Sequence, residues 1–142
     1  MNPETVDALA ARLARHDRLV EVGIGDRVAV AAALVERGLT VTATDVSARS
    51  VPEGVRFVRD DVTDPDPSVY ACADAVYALN LPRDLHRATR SVARAAGAEF
   101  LFTTLGAEQP AVDVERVTLP GETLYVARPP RRRRAGPDDA VE

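Results

Sequence analysis

Apolar residues recur along this chain at two spacings, in short runs parted by glycine, proline and acidic residues. Val6, Leu9, Ala10 and Leu13 stand three and four apart behind Asn2, a natural N-cap, and Pro3, which suits a first helical position; a helix is predicted over 3–15. RLVEVGIG (18–25) is a short apolar run ending in glycines, and DRVAVAAALVERG (26–38) reads as a helix stopped at Gly38. TVTATDVS (40–47), VRFVRDDV (55–62) and ADAVYALN (73–80) are β-rich, and with the first run they read as four buried parallel strands. After Pro82, RDLHRATRSVARAAG (83–97) sets Leu85, Ala88, Val92 and Ala96 on one helical face and Arg83, Arg87, Arg90 and Arg94 on the other. AEFLFTTL (98–105) is a fifth strand, and ERVTLPGETLYVARP (115–129) reads as two short strands about a Pro120-Gly121 turn. Strands alternating with helices, then a hairpin, indicate an α/β protein with an open three-layer sheet and right-handed crossovers.

At 142 residues the chain has room for one domain, placed at 1–128, with the Pro- and Arg-rich remainder, 129–142, expected to be a disordered tail. Apolar residues at 46% can bury a core, which argues against a disordered or collagen-like chain. No apolar run approaches the roughly 18 residues of a membrane span, and the first residues lack a secretory stretch, so a cytoplasmic protein without membrane contact is expected. Cys72 is the single cysteine and lies far from His16 and His86 in sequence, which leaves no disulfide framework and no zinc cluster; no metal is expected.

Charge narrows the partners. All 18 basic residues are arginine, a bias of GC-rich, salt-adapted usage, against 22 acids. The tail carries four Arg and three acids, a net +1, so the total of −4 leaves the body at −5. A global attraction to nucleic acid is therefore not expected, while a local RNA contact through Arg131 to Arg134 stays open.

The sharpest chemical feature is Glu21-Val22-Gly23-Ile24-Gly25, followed twenty residues after Gly25 by Asp45. In a doubly wound sheet the two loops lie side by side at the carboxyl edge: glycines let a ligand reach the backbone, and an acid after the second strand can accept both hydroxyls of a ribose. A nucleoside-containing ligand is the natural reading. The dinucleotide fingerprint would put a further glycine where Val28 stands, and the usual methyltransferase pattern one where Arg27 stands.

The surrounding residues extend the pattern. LVEVGIG resembles the first motif of class I S-adenosylmethionine-dependent methyltransferases, TATDVS their second-strand motif, FVRDDVTD the third and ADAVYALN the fourth. The resemblance implies a Rossmann-like, mostly parallel sheet with a C-terminal hairpin. It also implies a cofactor site lined by Glu21 near the methionine part, Gly23, Gly25, Asp45 on the ribose, Asp61 by the adenine, and Val46 and Val62 flanking the adenosine. VEVGIG, FVRDDVTDPDPSVY, PRDL and GETLYVA further resemble a small archaeal group of uncharacterised function, protein family 0146, over nearly the whole predicted domain. That resemblance implies the same fold and supplies no activity.

Asn80-Leu81-Pro82 partly resembles the Asn-Pro-Pro-aromatic turn of amino-group methyltransferases, which makes Asn80 the one candidate for contact with a substrate; capping the next helix is its structural alternative. Glu21 could equally cap a helix, and Asp45 close an Asx-turn. Asp60, Asp64 and Asp66 read as solvated turn residues, Cys72 as a small packed hydrophobe, His86 as a surface or helix-packing residue, and the arginine stripe as a wet helix face. The functional expectation is S-adenosylmethionine or a related nucleoside as ligand, in a small methyltransferase. Little chain is left for a substrate-recognising cap, so such an enzyme would draw one from a second subunit as a homodimer. The alternatives are a non-catalytic regulatory or assembly module on the same fold, and a protein binding NAD.

Overall fold

The computed structural model describes residues 1–129. The expected tail, with Arg131 to Arg134, lies outside them beyond Pro129. Along the chain run α1 (Pro3–Leu13), β1 (Arg18–Glu21), α2 (Ala29–Glu36), β2 (Thr40–Asp45), β3 (Arg56–Arg59), α3 (Pro67–Tyr70), β4 (Ala75–Leu81), a 3₁₀ turn (Arg83–Leu85), α4 (His86–Ala96), β5 (Glu99–Thr104), β6 (Val114–Leu119) and β7 (Glu122–Ala127). The seven strands form one sheet in the order β3-β2-β1-β4-β5-β7-β6. The first five are mutually parallel, and β7 joins β5 antiparallel, with β6 folded back on it as a hairpin.

Alternation along each strand feeds two cores. On one face Leu19, Val41, Ala43, Tyr77, Leu79 and Leu101 meet Leu9 and Leu13 of α1 and Val30, Ala31 and Leu34 of α2. On the other, Val20, Val76, Phe100, Phe102 and Tyr125 meet Tyr70 of α3 and Val92 and Ala93 of α4. This is the three-layer Rossmann-like arrangement. Among the described residues no helix is long and apolar enough to cross a membrane.

The local signals act as chemistry requires. Asn2 caps α1 by accepting the Thr5 N–H at 2.8 Å, and Gly97 ends α4 at φ +70°, a left-handed conformation that costs glycine nothing. Several expectations are corrected. β3 is parallel yet not buried, because it is an edge strand with Arg56 and Arg59 exposed. α1 stops at Leu13 and α2 starts only at Ala29, since Gly25 to Val28 are spent on a turn in which Arg27 N–H reaches the Ile24 carbonyl. α3 was not predicted; Asp66 caps this single turn through Ser68 N–H at 3.0 Å, so it is a cap rather than a free turn residue. Asp60 is no solvated turn residue either: half-buried, it accepts the Tyr70 hydroxyl at 2.7 Å and the Asp66 N–H at 3.0 Å. Cys72 is exposed rather than packed.

Candidate functional site at the carboxyl edge

The loops after β1 and β2 are stitched together. Ile24 N–H donates to the Thr44 carbonyl at 3.0 Å, and Gly25 N–H donates to Asp45 Oδ2 at 2.8 Å. The other oxygen of Asp45 accepts the Ser47 N–H at 3.0 Å, an Asx-turn, and Arg49 Nε stands 3.4 Å from Oδ2. Burial alone would raise the Asp45 pKa, but the Ser47 and Gly25 N–H groups and Arg49 outweigh it and hold the carboxyl below its ordinary range. Asp45 is thus an ionised carboxylate at the sheet edge, 7% exposed, that both closes its own turn and fixes the glycine loop.

Gly23 and Gly25 have φ of +68° and +56°, and a Cβ on either would meet nothing within 4 Å. No packing demand explains glycine there; the backbone conformation does, and it leaves open space above the loop. Val46, 57% exposed, carries a large apolar side chain into solvent beside Asp45. Asp61 is exposed, its Oδ1 taken by the Thr63 N–H and hydroxyl at 2.9 and 2.7 Å, which lower its pKa; Val62 is buried in the α3/α4 core.

Glu21 is placed quite differently from a helix cap. It is 1% exposed beneath the loop, and its Oε1 accepts the hydroxyl of Tyr77, its register partner on β4, at 2.7 Å. Burial pushes its pKa from 4.5 up to about 8, with the Tyr77 hydrogen bond pulling the other way. The same pairing, after burial, drives the Tyr77 hydroxyl up.

A cavity of about 640 Å³ opens on the α1/α2 side of this edge, between the start of α1, the residues from Asp26 to Val30, Asn80 and the β6–β7 turn. Thr5 fastens two of its walls together, since its hydroxyl donates to the Pro120 carbonyl at 2.8 Å. Asn80 stands on the rim with φ +53°, where β4 breaks register with β5 between Ala78 and Leu81. With its amide oriented to satisfy both ends, Asn80 donates to the Thr104 carbonyl at 3.2 Å and accepts from Arg27 Nη1. It does not cap the following turn, which has Pro82 at its N-cap and no side-chain cap. A non-glycine residue in the left-handed region costs roughly 1–2 kcal/mol, so this conformation is held by its surroundings. α2 likewise starts without a side-chain cap, at Val28, and its first residues face the cavity.

Gly23, Gly25, Asp45 and Val46 therefore gather at one edge, and Asn80 borders the adjoining cavity. Glu21 lies below, and Val62 faces a different core. Arg27 and Tyr77 were not anticipated. Arg27 occupies a position where a glycine was expected, which was the one signal present; the Tyr77 contact depends on strand register, which leaves no trace in local pattern. His86 is the helix-packing residue expected of it: fully buried, it has Nε2 3.0 Å from the Leu81 carbonyl and accepts the Ala111 N–H at Nδ1, also at 3.0 Å.

The relatives of this chain are archaeal. A UPF0146 protein from Halobacterium salinarum is 60% identical over 127 residues, covering 89% of this chain and 96% of that one. A second from Archaeoglobus fulgidus is 40% identical over 111 residues, covering 78% and 84%. Among solved structures, an RNA methyltransferase from Salinibacter ruber in complex with S-adenosyl-L-homocysteine superposes with a TM-score of 0.64 at 19% identity, covering 96% of this chain and 97% of that one. This likeness shows the fold alone, a three-layer Rossmann-like sheet with a C-terminal hairpin. Residues 4–129 match one family throughout, and the chain belongs to it: the uncharacterised protein family UPF0146.

Proposed function

We propose that the protein binds S-adenosylmethionine, or a closely related nucleoside, across the loops after β1 and β2, and that it is a small methyltransferase. The observation that carries this reading is the open space over Gly23 and Gly25 directly beside the ionised Asp45. Asp45 Oδ1, with the Ser47 N–H as its partner, keeps lone-pair capacity for a ribose hydroxyl without releasing the glycine loop, while Oδ2 already faces the Gly25 N–H and Arg49. Val46 offers an apolar face to a base. Glu21, at the end of β1 just before the loop, is held by the Tyr77 hydroxyl, and the uncapped N–H groups at the start of α2 suit a carboxylate. The Salinibacter ruber enzyme of the same fold carries S-adenosyl-L-homocysteine, which favours a sulfonium nucleoside over NAD.

Bound S-adenosylmethionine supplies an electrophilic methyl group, whose transfer needs in-line positioning and exclusion of water more than a general base. The cavity bordered by Asn80 is where an acceptor would be positioned. Its walls include the α1 start and the β6–β7 turn of the same chain, so the reading does not require a second subunit to build them. A non-catalytic module would need only the nucleoside edge.

Calorimetric titration of the full chain with S-adenosylmethionine, S-adenosylhomocysteine and NAD, in high salt, tests the reading. Binding of the first two without NAD is the expected result; NAD binding in their place would overturn it.

A further inference from the structure

The second core is only partly roofed. α4 packs against β4 and β5, and among the described residues no helix packs comparably on that face of the β6–β7 hairpin. A groove of about 370 Å³ lies between the end of α4, the start of β5 and the end of β7, and Arg90, Arg94 and Arg128 line it together with Glu99, which is paired with Arg12 and His16. Higher up, Arg83 Nε donates to the Gln109 carbonyl at 3.0 Å, and Arg116 donates to the Gln109 side chain at 3.3 Å with its guanidinium over the Tyr125 ring. Arg87 fills the interval on α4.

Three arginines thus line the groove itself, and Arg83 of the 3₁₀ turn, Arg87 of α4 and Arg116 of β6 extend the charge beyond it. Although the chain has 22 acids, no carboxylate within the described residues forms an ion pair with any of the six. Arg90 is half-buried with its Nε lacking a partner among the described residues. Its pKa is pulled down by burial first and then by Arg94 and Arg87, with Asp113 opposing, which marks concentrated like charge. Such a concentration in a chain of net charge −4 is unfavourable unless a counter-charge comes to it. The absence of lysine makes the residue type compositional; the placement is not.

We infer that this arginine-lined cleft between α4 and the β6–β7 hairpin binds the phosphodiester backbone of single-stranded RNA. Within α4 the stripe from Arg87 to Arg94 rises ~10 Å at 1.5 Å per residue, and Arg83 continues it through the 3₁₀ turn, so it presents a line of charge rather than one anion site. RNA is the nucleic acid recognised chiefly through its unpaired segments. Guanidinium planes can both grip phosphates and stack on splayed bases. A membrane fits less well, because the exposed large hydrophobics among the described residues, Met1, Val46 and Leu105, do not line the cleft. This inference does not depend on the nucleoside site.

The test is fluorescence anisotropy with a labelled 15-nucleotide unstructured RNA and the full chain, titrated across salt. The variant changes three exposed arginines, Arg87→Gln, Arg94→Gln and Arg128→Gln, and leaves half-buried Arg90 in place. Its Kd should rise at least tenfold, and its slope of log K against log salt should flatten by about 2, at about 0.7 for each phosphate no longer neutralised. The corresponding Arg→Lys triple should stay within about threefold of wild type, since phosphate neutralisation needs charge more than shape. A control with the same charge change elsewhere, Arg15→Gln, Arg37→Gln and Arg56→Gln, should leave binding unchanged. Wild-type affinity in the cleft variant, an equal loss in the control, or equally tight binding of a DNA duplex or anionic vesicles would overturn the inference. So would loss of all binding on removing residues 130–142.

Discussion

Glu21→Gln isolates the most unusual energetic feature of the protein. The wild-type carboxyl is sealed under the glycine loop with Tyr77 as its hydrogen-bond donor, and its pKa stands at about 8 rather than 4.5. Between those two pH values the folded protein keeps a proton that the unfolded chain has released, so stability falls as pH rises through the window and levels off above about 8. The interval from 4.5 to about 8 is about 3.5 pH units, and at ~1.36 kcal/mol for each, full expression of the effect is on the order of 5 kcal/mol. That is comparable to the whole stability of a typical small domain. Glutamine keeps the shape and the acceptor for the Tyr77 hydroxyl but cannot ionise. Urea unfolding followed by circular dichroism at pH 5, 6, 7, 8 and 9, on wild type and variant, measures the difference directly. The variant should gain steadily on wild type from pH 5 to 8, then hold its lead. A difference that stays constant with pH would mean that Glu21 ionises normally in the folded protein, and the account of its burial would be wrong.

Two further outcomes concern the edge itself. Asp45→Ala should cost about 1–3 kcal/mol of stability, because it orphans the Gly25 and Ser47 N–H groups, and should weaken nucleoside binding by a further ~1.5–3 kcal/mol in calorimetry; unchanged affinity would leave Asp45 as a turn residue only. Its stability contribution should be present at neutral pH and fade as acid protonates the depressed carboxyl. Gly23→Ala should cost roughly 1–2 kcal/mol through its φ of +68° alone, since its Cβ touches nothing, yet should abolish nucleoside binding by filling the open space; a variant that binds as wild type would place the ligand elsewhere.

Much of this protein is written locally. The helix-stop glycines, the Asn2 cap and the apolar alternation are properties of a few adjacent residues, and they suffice for the α/β order and for the C-terminal hairpin at Pro120-Gly121. The motif spacing was enough to bring Gly25 against Asp45, because a doubly wound sheet always sets those two loops side by side. Tertiary structure decided the rest. Whether β3 is buried depends on which strands flank it, and it has only β2 as a neighbour. Glu21 meets Tyr77 only through the parallel register of β1 and β4, 56 residues apart, and a carboxylate in a site motif is thereby turned into a buried acid. Asn80 is drawn off the next helix by Arg27 and Thr104, from two other segments. The arginine stripe, an ordinary wet face when α4 is read alone, supplies Arg90 and Arg94 to a groove that Arg128, just after β7, also lines. Each of these contacts joins residues distant along the chain, and local periodicity holds no record of such pairings.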